Sequence, residues 1–179
     1  DILHRCLSTG AYTKGSVTPS MSPSMDIQVS SNFERALFDA YDRDGGAITQ
    51  LMEELRAGSF TVSQGAMQAL REHFDSGRAS EDETLATIAS AQATMGELLC
   101  PHSAIGVKVA DDLRTPEVPM ITLATAHPAK FPDAVEKASG TRPPLPKRMA
   151  DLYDRPERVT RVGNDLDALE TLVEERIAQ

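Results

Sequence analysis

The run Thr122-Leu-Ala-Thr-Ala-His-Pro-Ala-Lys-Phe131 places a hydroxyl, an imidazole and an ammonium directly after a short apolar stretch. Apolar residues dominate Val118 to Thr125, which suits a buried strand of a parallel sheet. Ligands of such sheets bind beyond the carboxyl ends of the strands. A strand-end hydroxyl, Thr125, can there meet a ring nitrogen of a ligand, with His127 and Lys130 in the turn that follows. The competing reading is a Thr that only caps the next helix.

A second group lies earlier in the chain. Ser22, Ser24, Asp26, Ser30, Ser31 and Asn32 precede a helical pattern, and Arg35 sits one turn into it. Backbone N–H groups and the helix dipole favour an anion at such a place, a phosphate or a carboxylate. Asp26 repels a phosphate and suits the orienting of neighbouring donors better. The alternative is a loop that spends these side chains on its own backbone. A third group, Cys100-Pro-His-Ser-Ala-Ile-Gly106, puts His102 and Ser103 in a first helical turn. Its plainer reading is a well-formed helix start with one polar side chain on solvent. Asp42-Arg-Asp-Gly-Gly46 resembles part of a calcium loop but lacks the downstream ligand spacing, so it reads as a polar break. His4, His73, His102 and His127 show no metal spacing, and His73 reads as an exposed helix residue.

These groups need a scaffold, and 179 residues suffice for one sizeable core or for a large piece of a longer protein. With 40% hydrophobic and 25% charged residues the composition is that of a globular chain. A net charge of −9 without a basic stripe argues against nucleic acid. No run of eighteen apolar residues spans a membrane and no signal segment opens the chain. The lack of Trp argues against a large aromatic binding platform. Cys6 and Cys100 stand far apart and read as buried or partly buried thiols of a cytoplasmic protein. The opening Asp-Ile-Leu-His reads as a chain entered midway through an element, which points to a fragment.

The elements follow from spacing and caps. Residues 10 to 30 carry Gly10, Gly15, Pro19 and Pro23 and read as a long ordered loop. Ser31 with Glu34 fits a capping box before Phe33, Leu37 and Tyr41, and Gly45-Gly46 should break that helix from one carrying Ile48, Leu51, Met52 and Leu55. Ser63 should cap a helix with Met67, Leu70 and Phe74, closed by Gly77, and Ser80 with Glu83 should open another reaching Met95. Pro101 and Pro132 suit first helical turns, ending near Leu113 and at Gly140. Glu157 to Val162 is a second strand candidate, and a last helix from Asn164 should line up Leu166, Leu169, Val173 and Ile177. Two strands cannot form a sheet buried on both faces, so the rest of the sheet must come from elsewhere.

Taken in order, Ser22-Pro-Ser-Met-Asp-Ile-Gln-Val-Ser-Ser-Asn-Phe-Glu-Arg35, Pro101-His-Ser-Ala-Ile-Gly106 and Ala124-Thr-Ala-His-Pro-Ala-Lys-Phe-Pro-Asp-Ala-Val-Glu-Lys-Ala138 resemble the C-terminal part of threonine synthases. Arg155-Pro-Glu-Arg-Val159 fits as well, and the resemblance covers nearly the whole chain. It implies an α/β fold, the helix-rich C-terminal portion of a fold type II pyridoxal-phosphate enzyme. Such a portion gives a few strands to a twisted sheet completed by N-terminal sequence. Residues 1–35 would return from the large domain, 36–115 would form a helical region, and 116–179 would complete the large domain. The resemblance implies O-phosphohomoserine and water as substrates, threonine and phosphate as products, and pyridoxal 5'-phosphate as cofactor and electron sink of a β,γ-replacement. It implies the N-terminal part of the same enzyme as partner.

It also implies that Thr125 hydrogen-bonds the pyridine nitrogen of the cofactor. A neutral hydroxyl leaves that nitrogen less protonated than a carboxylate would. His127 and Lys130 become neighbours of cofactor or substrate, and Ser22, Ser24, Asp26, Ser31, Asn32 and Arg35 the substrate side of the pocket. The family's cofactor lysine lies in the N-terminal half, and Lys14, Lys108, Lys130, Lys137 and Lys147 do not sit in its motif. The chain by itself is therefore expected to be inactive, with no catalytic residue of its own and no metal. Cys100 departs from the acidic residue expected there, at a local cost of about 1 kcal/mol as a poorer N-cap. Two alternatives stand beside this reading. One is a non-catalytic binding or regulatory module that kept the fold, the other an autonomous helical interaction protein.

Overall fold

The computed structural model describes residues 1–178. By contact the chain divides into Asp1–Pro144 and Leu145–Gln179. The first unit runs α1 (Ile2–Thr9), β1 (Ala11–Thr13), α2 (Phe33–Ala40), α3 (Gly45–Ala57), β2 (Ser59–Thr61), α4 (Gln64–His73), α5 (Glu81–Met95), α6 (Pro101–Leu113) and α7 (Pro132–Ser139). β1 and β2 pair antiparallel, with Tyr12 opposite Phe60. Their rings stack at 5.0 Å, and the Tyr12 hydroxyl accepts from the Ser30 N–H at 2.8 Å. That bond ties the long loop after β1 to the first core.

Two apolar clusters hold this unit. The larger joins Ile2 and Cys6 of α1, Tyr12, Leu37 of α2, Ile48, Leu51 and Leu55 of α3, Phe60, and Met67 and Leu70 of α4. The smaller joins Ile88 of α5, Ala104 of α6 and Val135 of α7, all fully buried. Both free thiols, Cys6 and Cys100, are buried as expected.

Local signals position most helices. The Ser80 hydroxyl accepts from the Glu83 N–H and the Glu83 carboxylate accepts from the Ser80 N–H, a complete capping box. Ser63 caps α4 at the Ala66 N–H, and Gly140 ends α7 at φ 70°. Three expectations are corrected. The N-cap of α2 is Asn32 with no side-chain cap bond, so Ser31 and Glu34 do not form a box. The break before α3 falls on Asp42 and Arg43, both left-handed, while Gly45-Gly46 begins α3 under an Asp44 cap. α4 stops at His73, ahead of Gly77.

The two strand candidates do not pair. Val118–Thr125 forms no strand and has no ladder partner among the described residues, Val118 lies in a bend, and Ile121 and Leu123 are 83% and 73% exposed. A parallel strand needs neighbours to satisfy its backbone, and the described residues supply none here. Glu157–Val162 likewise forms no strand. β1 and β2 went unread because three residues each are too short for a period-two pattern.

The second unit holds two short 3-10 turns, Lys147–Met149 and Leu152–Asp154, and α8 (Leu166–Ile177). Asp165 caps α8 at the Ala168 N–H, 2.9 Å. Arg155 grips both carboxylate oxygens of Asp151, which lowers the pKa of that acid. Leu166, Leu169, Val173 and Ile177 share one face of α8, as the spacing predicts, and all four are exposed.

Candidate functional site

The first turn of α6 is the point where the chain's motifs meet. Pro101 opens it, and Cys100 caps it through a sulfur that accepts from the Ser103 N–H at 3.4 Å. Sulfur is a weak acceptor. Ser103 is buried, and its Oγ lies 3.2 Å from the Cys100 sulfur and accepts from the Thr125 N–H at 3.1 Å. Further along α6, a Cβ on Gly106 would come within 3.1 Å of the Thr122 methyl. A bare helix surface there lets the apolar run lie against α6, and Ser103 fixes its end. The Thr125 side chain is left exposed.

His102 faces a different partner. Its Nε2 accepts from the Ser24 N–H at 3.2 Å, and its ring tilts against Phe131 at 4.6 Å. Its Nδ1 is buried without a hydrogen-bond partner among the described residues. Because Nε2 accepts, the proton of the neutral ring must sit on Nδ1. An unpaired buried donor costs roughly 1–3 kcal/mol, a cost worth explaining. Burial holds the His102 pKa below its ordinary 6.5, the Lys130 charge lowers it further, and Asp26 opposes both.

The expected site residues divide into two places. Ser24 bonds His102 of α6, the charges of Asp26 and Lys130 both act on that ring, and the Lys130 ammonium lies 6.0 Å over Phe131. Asp26 accepts from both the N–H and the hydroxyl of Ser20 at 2.7 and 2.6 Å, so its carboxylate orders its own loop. Ser22 is buried against Ser20 and edges a depression of about 640 Å³ with Asp26, Arg78, Ser80 and Glu81. Ser31, Asn32 and Arg35 line a separate depression with Phe38 and Arg43. His127 is exposed and caps its own turn, its Nδ1 accepting from the Ala129 N–H at 3.1 Å. Among the described residues no group of three His, Cys, Asp or Glu could hold a metal ion.

A family profile described as threonine synthase, C-terminal, matches residues 103–173. Threonine synthase of Pseudomonas aeruginosa is 48% identical over 97% of this chain, which covers 38% of that protein. The chain belongs to the threonine synthase family, at its C-terminal end. Structures agree. The pyridoxal-phosphate-bound threonine synthase of Brucella melitensis superposes with a TM-score of 0.89 at 50% identity, over 98% of this chain and 38% of that one. The yeast threonine synthase superposes at 0.83 with 31% identity, over 99% of this chain and 40% of that one. This chain thus spans about two fifths of the length of the threonine synthases it matches.

Within that C-terminal part, His102 and Ser103 are the pair that the sequence places in a first helical turn and reads most plainly as a helix start. That reading leaves one polar side chain on solvent, yet His102 is part-buried with one nitrogen sealed and Ser103 is buried. Their partners, Ser24 and Thr125, are 78 and 22 residues away, so no local pattern could signal the contacts. Lys108 is engaged with Asp112 and Glu83, and Lys14 donates to the Arg56 carbonyl.

Proposed function

We propose that this chain is one wall of the active site of a threonine synthase, acting with an N-terminal part that supplies the cofactor lysine. The whole enzyme converts O-phosphohomoserine and water to threonine and phosphate. Pyridoxal 5'-phosphate supplies an electron sink for loss of protons from the substrate carbons. The residues here fit such a group: Thr125 is an exposed residue on a backbone fixed by Ser103, at the end of an apolar run. Its hydroxyl would hold a ring nitrogen of the cofactor in place. Lys130 supplies positive charge beside His102 and the Ser22–Asp26 loop, where an anionic substrate group gains most. His127 stands at the mouth of the same turn.

The N-terminal part also supplies the strands that Val118–Thr125 lacks, in the division 1–35, 36–115 and 116–179. The observation that carries the reading is this unpaired apolar run ending at an exposed Thr. In the full-length protein, Thr125→Ser should keep most phosphate release from O-phosphohomoserine. Thr125→Val should lower kcat/KM about 10- to 100-fold, the range of one or two lost polar contacts, and should change the absorbance of the bound cofactor. Equal behaviour of the two variants would refute the role of Thr125. The 179-residue chain alone should release no phosphate.

A further inference from the structure

We propose that the first turn of α6 is a clamp that sets the spacing of the two site segments, with His102 and Ser103 as its positioning residues. The proposal rests on the reading of the chain as a threonine synthase wall. Neighbouring residues of one rigid turn accept backbone N–H groups from two remote segments, Ser24 at 3.2 Å and Thr125 at 3.1 Å. Pro101 fixes the turn, and Pro101, Ser103 and Ala104 are buried beneath it. A shift of the turn therefore moves the Ser22–Asp26 loop and Thr125 together.

Both halves of the clamp need an acceptor, and each has a defined polarity. Ser103 Oγ accepts from the Thr125 N–H and lies 3.2 Å from the Cys100 sulfur, a contact in which either group can donate. His102 must be neutral with its proton on Nδ1, the nitrogen that is sealed and unpartnered among the described residues. A protonated ring would turn an N–H on the Ser24 N–H, and the loop would be released. Lys130, from the turn before α7, opposes that protonation, and Asp26, from the loop, favours it. Facing α6 from α5, Glu83 is engaged with Lys108.

The test uses the full-length protein. Wild-type KM for O-phosphohomoserine should rise on the acid side below pH 6.5, ahead of any change in kcat. His102→Gln places an amide oxygen near the Nε2 position, so it should hold KM within about twofold and remove the acid limb. His102→Ala should raise KM about tenfold, the worth of one hydrogen bond to an ordered loop. Ser103→Ala should weaken cofactor retention and leave the acid limb in place. Labelling with ¹⁵N-histidine needs no variant and reports the ring directly. An Nδ1–H tautomer at neutral pH with a slowly exchanging Ser24 amide supports the clamp. An Nε2–H tautomer, or an acid limb that persists in His102→Gln, overturns it. A wild-type protein without phosphate release overturns the functional reading instead, and the tautomer then decides the clamp by itself.

Discussion

At the scale of single residues, burial decides which groups can react. Cys6 is fully buried in the first core, and desolvation pushes its thiol from 9.0 up to about 11. Thiolate is the reactive form, so a thiol reagent at pH 8 should leave Cys6 untouched in the native protein and titrate it after denaturation. A raised folded pKa has a defined sign. The stability it represents is complete below pH 9 and is lost as pH rises through 11, which denaturant titrations across that window would register. His102 runs the other way. Its folded pKa lies below 6.5, so its contribution is complete above 6.5 and declines as pH falls through that value. A melting temperature flat from pH 7 to 5 would refute this. Thiol burial was legible from the cysteine usage, whereas the imidazole tautomer was not, because it depends on a partner 78 residues away. Asp26 was, in part: its suspected orienting role is met by two bonds to Ser20.

At the scale of elements, local devices were legible and non-local ones were not. Ser80 and Glu83 are three residues apart and settle their own geometry. Ser80→Ala should cost about 1 kcal/mol in unfolding free energy. Ser31 and Glu34 carry the same letters, yet Asn32 takes the cap position. The apolar run Val118–Thr125 was read as a strand because its letters suit one, but pairing belongs to partners outside the run. Gly106 gives a test of how α6 places that run. Ala favours a helix interior over Gly by up to about 1 kcal/mol, yet its Cβ would crowd the Thr122 methyl. Gly106→Ala should therefore preserve the melting temperature of the full-length protein while lowering its turnover. A fall in both together would mean that the contact is only structural.

At the scale of the whole molecule, the apolar surface left uncovered is itself informative. Val118, Met120, Ile121 and Leu123 lie open on the unpaired run, and α8 shows four apolar residues on one face. Soluble monomers rarely leave such contiguous patches bare. The isolated chain should bind a hydrophobic dye and associate as its concentration rises, and adding the N-terminal part should suppress both. Dye binding unchanged by that addition would show that the patches serve something else. The fold class and family were legible through long motifs that survive without their sheet. The sheet itself was not, because its other strands are not written in these residues.

The unpaired run also predicts a time course. Amide protons between Met120 and Leu123 have no backbone acceptor among the described residues, whereas the Thr125 amide is held by Ser103. In deuterated water the isolated chain should lose the first set almost at once and keep the Thr125 proton far longer. Once neighbouring strands are present, the same amides should become as slow as Thr125. One short peptide spanning Val118–Thr125 would then serve as a clock for assembly, running from fast to slow as the enzyme is completed.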